Sequence, residues 1–411
     1  MHTSVLRRPI LLGVSSLAAA TLIATGAPSA QAATTVPGGV SARNSRSPLT
    51  AAEVTAIRTG LVDSLQHTVN ALAEKSGKHD HQYFSHGVWH NTAPQCLRCD
   101  TGPAVASAEL ATLTGNAVDQ RRAVETFDTA ITHHRHHSGA FGPPSGSETG
   151  PGIQTALFAN ELGEAYLVLG TRLSTTVRTR WRNAIAGAAN YLVRDGNLSW
   201  YTNGNITLAN SLTMALAAEV TGEPKYVADY HQALSFSLHP PQKRWHGFGL
   251  HITRKPKGPV GYGGAGYLAE QGAHKPGFDA DYTQLQTSDA VQLYLLTGDP
   301  KALWLTTLLV DRLLPRVHFG KWLLNTSNGS RHPQHHRYIN YTTAGLPVLA
   351  LDTDRPGLAR HAASQITRVE QVFAGAAHYS NIGMYYGFGD DPVSDLIALS
   401  GGPIAQISSV R

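Results

Sequence analysis

A short turn that recurs along the chain constrains the fold more than any other feature. Leu-Thr-Gly or Val-Thr-Gly is followed by an amide or an acidic residue at 113–116, 220–224 and 296–300, and looser variants of this turn lie at 169–171 and 351–356. Glycine suits the left-handed position that ends a helix, and proline suits the first turn of the next one. Most of these turns recur about every 50 to 55 residues, a period typical of repeated helical hairpins.

The segments on either side of each turn have different polarity. The first segment is rich in Ala, Leu and Thr with few charges, which indicates a helix buried on most sides. The second is amphipathic, which indicates a helix with one solvent face. The predicted helix pairs are 102–114 with 118–133, 154–169 with 174–194, 205–221 with 224–238, 281–297 with 300–315, and 341–351 with 356–374.

An inner ring of buried helices within an outer ring of amphipathic ones follows from this pattern. We predict an all-α fold, a complete or incomplete (α/α) toroid of about five to six helical hairpins. A further helix at 49–74 and an element near 391–400 extend it, and residues 49–411 form a single domain. Hydrophobic residues make up 42% of the chain, which is enough for a large core and argues against global disorder.

The first residues are expected to lie outside this domain. Arg7 and Arg8 precede a short apolar stretch at 10–24, and Ala30-Gln-Ala32 is a small-residue cleavage pattern. We therefore predict a signal peptide at 1–32, a flexible lead-in at 33–48 and a secreted protein. The apolar stretch is too short for a good membrane span, so we expect no membrane partner after cleavage.

The net charge of the chain helps to predict the chemical class of its binding partner. The formal charge is +5 with 21 histidines counted as neutral, which suits an acidic polymer. No Lys/Arg stripe with interleaved aromatics is present, so nucleic acid is not expected as a partner.

The two cysteines, Cys96 and Cys99, lie three residues apart. In an exported protein, a small-loop disulfide is the expected state. The alternative is a zinc half-site completed by nearby histidines. Those histidines are His79, His81, His86 and His90.

The connections between hairpins are long, whereas the turns within them are short. The long connections are 75–101, 134–153, 195–204, 239–280 and 316–340. Because the helices alternate in direction, all of these connections lie at the end that carries the N-termini of the inner helices. Long aromatic-rich loops in a compact domain are usually functional, and helix N-termini favour anionic groups. We therefore expect the functional site at this end.

The connection before the third inner helix carries the first candidates. Trp200 and Tyr201 are expected to stack on a sugar ring, and Asn203 and Asn205 to bind a hydroxyl or carboxylate. The structural alternatives are that Asn203 shapes an Asn-Gly turn and that Asn205 caps the helix.

The start of the next inner helix carries a second group of candidates. Asp279 or Asp281 is the expected N-cap. Asp281 and Gln284 are three residues apart and share a helix face, while Tyr282 points about a quarter-turn away. His251 lies in the long loop before this helix and is a candidate base.

The last long loop adds cations and imidazoles. Arg331 and Arg337 suit bidentate carboxylate binding. His335 is a candidate general base, a metal ligand or a solvated loop residue, while Tyr341 and Tyr385 are expected to reach the same cleft or to pack on its rim. No cofactor and no defined metal site are predicted; a divalent metal in this His-rich loop is the alternative.

With these residues in view, the chain resembles the α/α-toroid carbohydrate-active enzymes, most of all polysaccharide lyases of the chondroitin, hyaluronate and alginate lyase type. The resemblance rests on the paired-helix repeat, the Trp-x-x-Asn-Gly-Asn loop at 200–205 and the Gly-x-Asp-x-x-Tyr-x-Gln segment at 277–284. It implies that Asn203 or Asn205 neutralises a uronate carboxylate. It also implies that Tyr282, His251 or His335 transfers the C5 proton.

The predicted function is a secreted, monomeric lyase that cleaves an acidic, uronate-containing polysaccharide by β-elimination. One alternative is a glycoside hydrolase on the same toroid, which requires two opposed carboxylates. Its candidate carboxylates are Asp100, Glu148, Glu270, Asp279 and Asp281. The other alternative is a non-catalytic secreted protein that binds glycans.

Overall fold

The structure is a computed structural model, and its description covers part of the chain. The described residues are 50–366, with gaps at 54, 57–58, 60–61, 64–65, 67–68, 70–81, 86–87, 92–96, 143–152, 196–202, 273–274, 322, 332, 334–337, 341–344 and 354. The predicted signal peptide, the lead-in and the element near 391–400 lie outside this part, and their boundaries stay predictions.

The described chain is built from helical hairpins. Its helices are α1 Leu97–Thr114, α2 Ala117–His134, α3 Ile153–Leu169, α4 Thr175–Arg194, α5 Gly204–Thr221, α6 Pro224–Leu238, α7 Ala280–Thr297, α8 Pro300–Leu313, α9 Leu346–Asp352 and α10 Pro356–Ile366. The described residues between 51 and 69 are all helical, and Thr50 directly precedes them. This agrees with the predicted N-terminal helix.

The odd-numbered helices α1, α3, α5 and α7 pack against one another in succession, and each also packs against the helix that follows it. The helix α5 is buried over nearly its whole length, whereas α4 buries one face that includes Trp181 and Ile185. This is the arrangement of inner and outer helices in an (α/α) toroid. The all-α fold class is confirmed.

The turns inside the hairpins have the predicted backbone geometry. Gly222 and Gly298 end α5 and α7 with φ of 72° and 65°, in the left-handed region that glycine adopts without strain. Pro224 and Pro300 then begin α6 and α8. These turns place the N-termini of the inner helices at the opposite end, beside the long connections.

Aromatic packing joins outer to inner helices in the core. The buried Phe127 of α2 lies 5.1 Å from the Trp181 ring of α4 and 6.2 Å from Phe158 of α3, measured between ring centroids. Trp181 Nε1 donates a hydrogen bond to Asp128 Oδ1 at 2.8 Å, so the indole keeps a polar partner although it is buried.

Short antiparallel sheets occupy the long connections, which the sequence pattern did not predict. The strands are β1 Gln82–Ser85, β2 Val88–Asn91, β3 Leu250–Arg254, β4 Ala265–Leu268, β5 Val317–His318, β6 Leu323–Asn325 and β7 Tyr338–Asn340. β1 pairs with β2, β3 with β4, and β6 with both β5 and β7. The β3–β4 register sets His251 opposite Tyr267.

Two predicted helix starts differ from the structure by five residues each. The ninth helix was predicted from 341 but begins at Leu346, because Gly345 has a φ of 80° and a proline follows in the first turn. The first helix begins earlier than predicted, so Cys99 lies within α1, while Cys96 lies outside the described residues. The disulfide stays a prediction. Within the described chain, no helix is both long enough and apolar enough to cross a bilayer.

Candidate active site

The first turns of α5 and α7 meet at the end of strand β4. Gly204 N donates to Ala269 O at 3.2 Å, and Gln286 of α7 donates from Nε2 to Leu268 O at 2.9 Å. A Cβ on Gly204 would lie 2.4 Å from Leu268 Cβ and 2.6 Å from Gln286 Nε2, so only glycine permits this approach. The two inner-helix N-termini are therefore held together by direct contacts.

Asp279 is the N-cap of α7. Its Oδ1 accepts from the backbone N–H groups of Asp281 and Tyr282, and its Oδ2 accepts from the N–H of Arg331 at 3.2 Å. The side chain is 3% exposed. This carboxylate therefore orders the helix start and ties it to the loop that carries Arg331. Gly329 leaves room for it, since a Cβ there would lie 2.7 Å from Asp279 Oδ2.

Tyr282 and Arg331 form the closest polar pair of the site. Arg331 Nη1 donates to Tyr282 Oη at 2.5 Å, and the guanidinium carbon lies 3.9 Å from the centroid of the Tyr282 ring. The guanidinium therefore touches the phenol at both its oxygen and its ring. Such contacts fix the phenol and favour its ionised form.

Burial and charge act in opposite directions on this phenol. Burial raises the pKa of Tyr282, and the Arg331 guanidinium lowers it. The carboxylates of Asp281, Glu270 and Asp279 raise the pKa further. The resting phenol is therefore protonated at neutral pH, and Arg331 is the group that stabilises a phenolate there.

Glu270 lies beneath this pair and is 0% exposed. Its Oε1 accepts from Asn205 N at 2.8 Å and from Gln286 Nε2 at 2.8 Å, and its Oε2 lies 3.8 Å from Arg331 Nη2. Burial is the largest influence and raises the pKa of Glu270 to about 7; the two hydrogen bonds and Arg331 oppose it. This carboxyl group changes charge near neutral pH.

A row of aromatic rings lies beside the start of α7. The His251 ring stacks on Tyr267 with centroids 5.2 Å apart, and Tyr267 meets the edge of Phe278 at 5.2 Å. Arg312 lies over Phe278 at 4.3 Å. Because Phe278 directly precedes Asp279, this row borders the helix start.

The structure brings several of the predicted residues together. Asn205, Asp279, Tyr282 and Arg331 lie within one connected set of contacts with Glu270, and Asn203 is the N-cap residue of α5 without a side-chain capping bond. Asn205 Oδ1 is buried and accepts no hydrogen bond. The acceptor capacity of this amide oxygen is therefore unused in the described contacts.

Other predicted residues lie apart or outside the description. His251 Nε2 is 2.8 Å from Gly247 O, and its described ring contact is with Tyr267. Gln284 is buried on α7, and Asp281 is partly exposed in the first turn. The candidates that lie outside the described residues are Trp200, Tyr201, His335, Arg337, Tyr341 and Tyr385.

Sequence reasoning missed Gln286 and gave Glu270 a different role. Glu270 was a candidate hydrolase carboxylate, but it is fully buried and bonded to two N–H donors. A signal for Gln286 was present: a long amide four residues after Tyr282 on a largely apolar helix requires a buried polar partner. In the part of the chain that the structure describes, no three His, Cys, Asp or Glu side chains cluster as metal ligands.

Comparison with known proteins gives structural similarities at low identity. No protein-family model matches the chain, and no curated protein matches it. An unsaturated glucuronyl hydrolase mutant from Streptococcus agalactiae is 14% identical with a TM-score of 0.49, over 87% of this chain and 93% of that one.

Two other solved structures show similarity of the same kind. A D-mannose isomerase is 12% identical with a TM-score of 0.49, over 87% of this chain and 99% of that one. A family 76 glycoside hydrolase from a bovine Bacteroides thetaiotaomicron strain is 11% identical with a TM-score of 0.41, over 84% and 77% of the two chains. None of these similarities assigns a substrate to this chain.

Proposed function

We propose that the protein is a glycan-active enzyme that cleaves a uronate-containing polysaccharide by β-elimination. The observation that carries the proposal is the contact between Tyr282 and Arg331. The phenol oxygen lies 2.5 Å from a guanidinium nitrogen at the N-terminus of an inner helix. A phenol held by a cation suits proton transfer beside an anionic sugar, because the cation stabilises the negative charge that develops.

The reaction balances with one proton-transfer group. The Tyr282 phenol first releases its proton to solvent, and Arg331 stabilises the phenolate that results. The phenolate removes the proton from C5 of the uronate, the C4–O4 bond breaks, and a C4=C5 double bond forms. The bonding electrons leave on O4, which takes the proton back from the phenol, so Tyr282 returns to its phenolate form. Arg331 donates to the phenolate, and Asn205 lies one helix away as a further contact for the sugar.

Carbon acidity explains why positive charge is needed. The C5 proton is weakly acidic, and its removal puts negative charge onto the neighbouring carboxylate. Hydrogen bonds and cations that strengthen on that intermediate lower the barrier. The first turns of α5 and α7 add the positive ends of two helix dipoles.

Hydrolysis with two carboxylates is the second candidate. The raised pKa of Glu270 is a property of general acids in glycosidases and favours it. Burial weighs against it, because Glu270 is not exposed and Asp279 accepts three backbone N–H groups. Neither of these two carboxylates is free to approach a glycosidic bond, which argues against a hydrolytic mechanism that uses this pair.

The products distinguish the alternatives. Elimination creates unsaturated uronate ends that absorb in the ultraviolet, hydrolysis creates reducing ends without that absorbance, and a glycan-binding protein creates neither. The experiment incubates the protein with a panel of uronate-containing polymers and follows both signals, with and without a chelator. The chelator arm tests a divalent metal in the His-rich loop. We further propose that the protein is secreted, on the basis of the N-terminal signal-peptide pattern, and that it is monomeric.

A further inference from the structure

The orientation of Glu270 is fixed by its surroundings on two sides. Its backbone pairs with Gly277 in both directions, N to O, at 2.9 Å each. Its Oε1 is held by the Asn205 N–H and the Gln286 amide. These contacts leave Oε2 as the atom with no hydrogen-bond partner in a fully buried side chain.

That free oxygen faces the guanidinium that holds the phenol. Glu270 Oε2 lies 3.8 Å from Arg331 Nη2, while Nη1 of the same guanidinium donates to Tyr282 Oη at 2.5 Å. One cation therefore lies between a carboxyl group that no solvent reaches and a phenol in the first turn of α7. Because charges in a buried site are poorly screened, the two groups interact through it.

We infer that Glu270 is a positioning residue whose charge decides how strongly Arg331 stabilises the Tyr282 phenolate. The inference rests on the proposed function, because it assigns the control of the same proton-transfer group. When Glu270 is neutral, the guanidinium charge is available to the phenol. When Glu270 is ionised, part of that charge is compensated and the phenolate is less stable.

The other charged groups do not duplicate this contact. Asp279 contributes to the electrostatic field at both Glu270 and Tyr282, and Asp281 contributes at Tyr282. Asp279 has both oxygens on backbone N–H groups. The contacts that α5 and Gln286 make with Glu270 are N–H groups that donate hydrogen bonds to its Oε1. Among the described residues, Arg331 is the cation that acts on it, and its carboxyl pKa of about 7 places the change of charge near neutral pH.

A purely structural role for Glu270 has a different consequence. Glutamine at this position keeps the Oε1 acceptor for Asn205 and Gln286 but never becomes negative. If Glu270 only ties the loop to α5, Glu270→Gln alters activity by the same factor at every pH. If its charge acts on the phenol, the factor depends on pH, because above pH 7 the phenolate fraction rises less steeply with pH in the wild type than in the variant.

The first test measures kcat and KM of wild type and Glu270→Gln on the polymer that gives unsaturated ends, between about pH 5.5 and 9. We expect the variant-to-wild-type ratio of kcat to rise about tenfold across a midpoint near pH 7, since one nearby charge shifts a pKa by about one unit or more. Asp289→Asn is the matched control. Asp289 is a buried carboxyl group of α7; burial raises its pKa, and it does not contribute to the shift in the pKa of Tyr282. Its ratio should show no step near pH 7. A flat ratio for Glu270→Gln overturns the inference.

The second test needs no enzymatic activity. With tyrosine labelled at Cζ by ¹³C, the Tyr282 resonance is assigned by its loss in Tyr282→Phe. In the wild type we expect this resonance to shift with a midpoint near pH 7, and in Glu270→Gln we expect that step to vanish and the phenol to titrate about one unit lower. Absence of the step in wild type overturns the inference. If the step is present but no polymer is cleaved, the proposed function fails while the electrostatic coupling stands.

Discussion

At the scale of single residues, the site depends on one cation shared by two acids. Arg331 touches the Tyr282 oxygen and ring and approaches Glu270, while its backbone N–H is held by Asp279. The contacts join residues that are about 50 to 60 positions apart in the sequence, so they exist only in the folded chain.

Removing the phenol oxygen tests the proton-transfer role. We expect Tyr282→Phe to lower kcat by about 10²–10⁴-fold, the usual contribution of a positioned acid or base, with little change in the Kd for a uronate oligosaccharide. Initial rates and calorimetric titration measure the two quantities. Tyr262→Phe, at an exposed tyrosine of the β3–β4 connection, is the matched control and should keep the wild-type rate. Wild-type kcat in the Tyr282 variant would remove this residue from the mechanism.

The buried carboxyl of Glu270 makes stability depend on pH. Its pKa is about 7 in the folded protein and 4.5 as the unperturbed value, so between these pH values the folded state holds a proton that the unfolded state has lost. The free energy of unfolding therefore falls as pH rises through this window. The change totals about 3 kcal/mol, at about 1.4 kcal/mol per pKa unit.

Glutamine at this position should remove that dependence. We expect the stability of Glu270→Gln relative to wild type to increase by up to about 3 kcal/mol between pH 4.5 and pH 8. Urea unfolding at several pH values measures it, and Glu223→Gln, at an exposed carboxylate, is the control. A constant difference between variant and wild type across this range would show that Glu270 does not titrate there.

At the scale of elements, the site depends on how closely two helix starts approach one strand. The N-terminus of α5 reaches β4 through Gly204, and α7 reaches it through the Gln286 side chain. The small sheets in the long connections thus act as spacers between inner helices. Their strands have two to five residues, too short for an alternating pattern to reveal them.

A methyl group at Gly204 should separate these elements. We expect Gly204→Ala to destabilise the protein by about 1–3 kcal/mol, as overpacking of a filled interior usually does, and to lower activity because Asn205 and Glu270 move apart. Thermal unfolding and initial rates measure the effects. Gly357→Ala is the control, because a Cβ there meets nothing within 4 Å and alanine favours the helix α10. Equal stability of the two variants would show that the helix starts tolerate separation.

At the scale of the whole molecule, the sequence predicted the helical hairpins well but the candidate site only in part. Glycine turns and helical periodicity are local signals, so five hairpins were found with boundaries mostly within a few residues. Helix direction and loop length then placed Asp279, Tyr282 and Arg331 at one end. Which of these side chains touch, and that Glu270 is buried beneath them, depends on packing between distant segments that spacing alone does not encode.

Ultraviolet absorbance during incubation of wild type and Tyr282→Phe with uronate-containing polymers is the decisive measurement for β-elimination by Tyr282. We expect a steady rise on at least one polymer for wild type and a rate at least about a hundredfold lower for the variant. New reducing ends without any rise in absorbance would contradict β-elimination and favour hydrolysis. Equal rates in the two proteins would contradict the role of Tyr282.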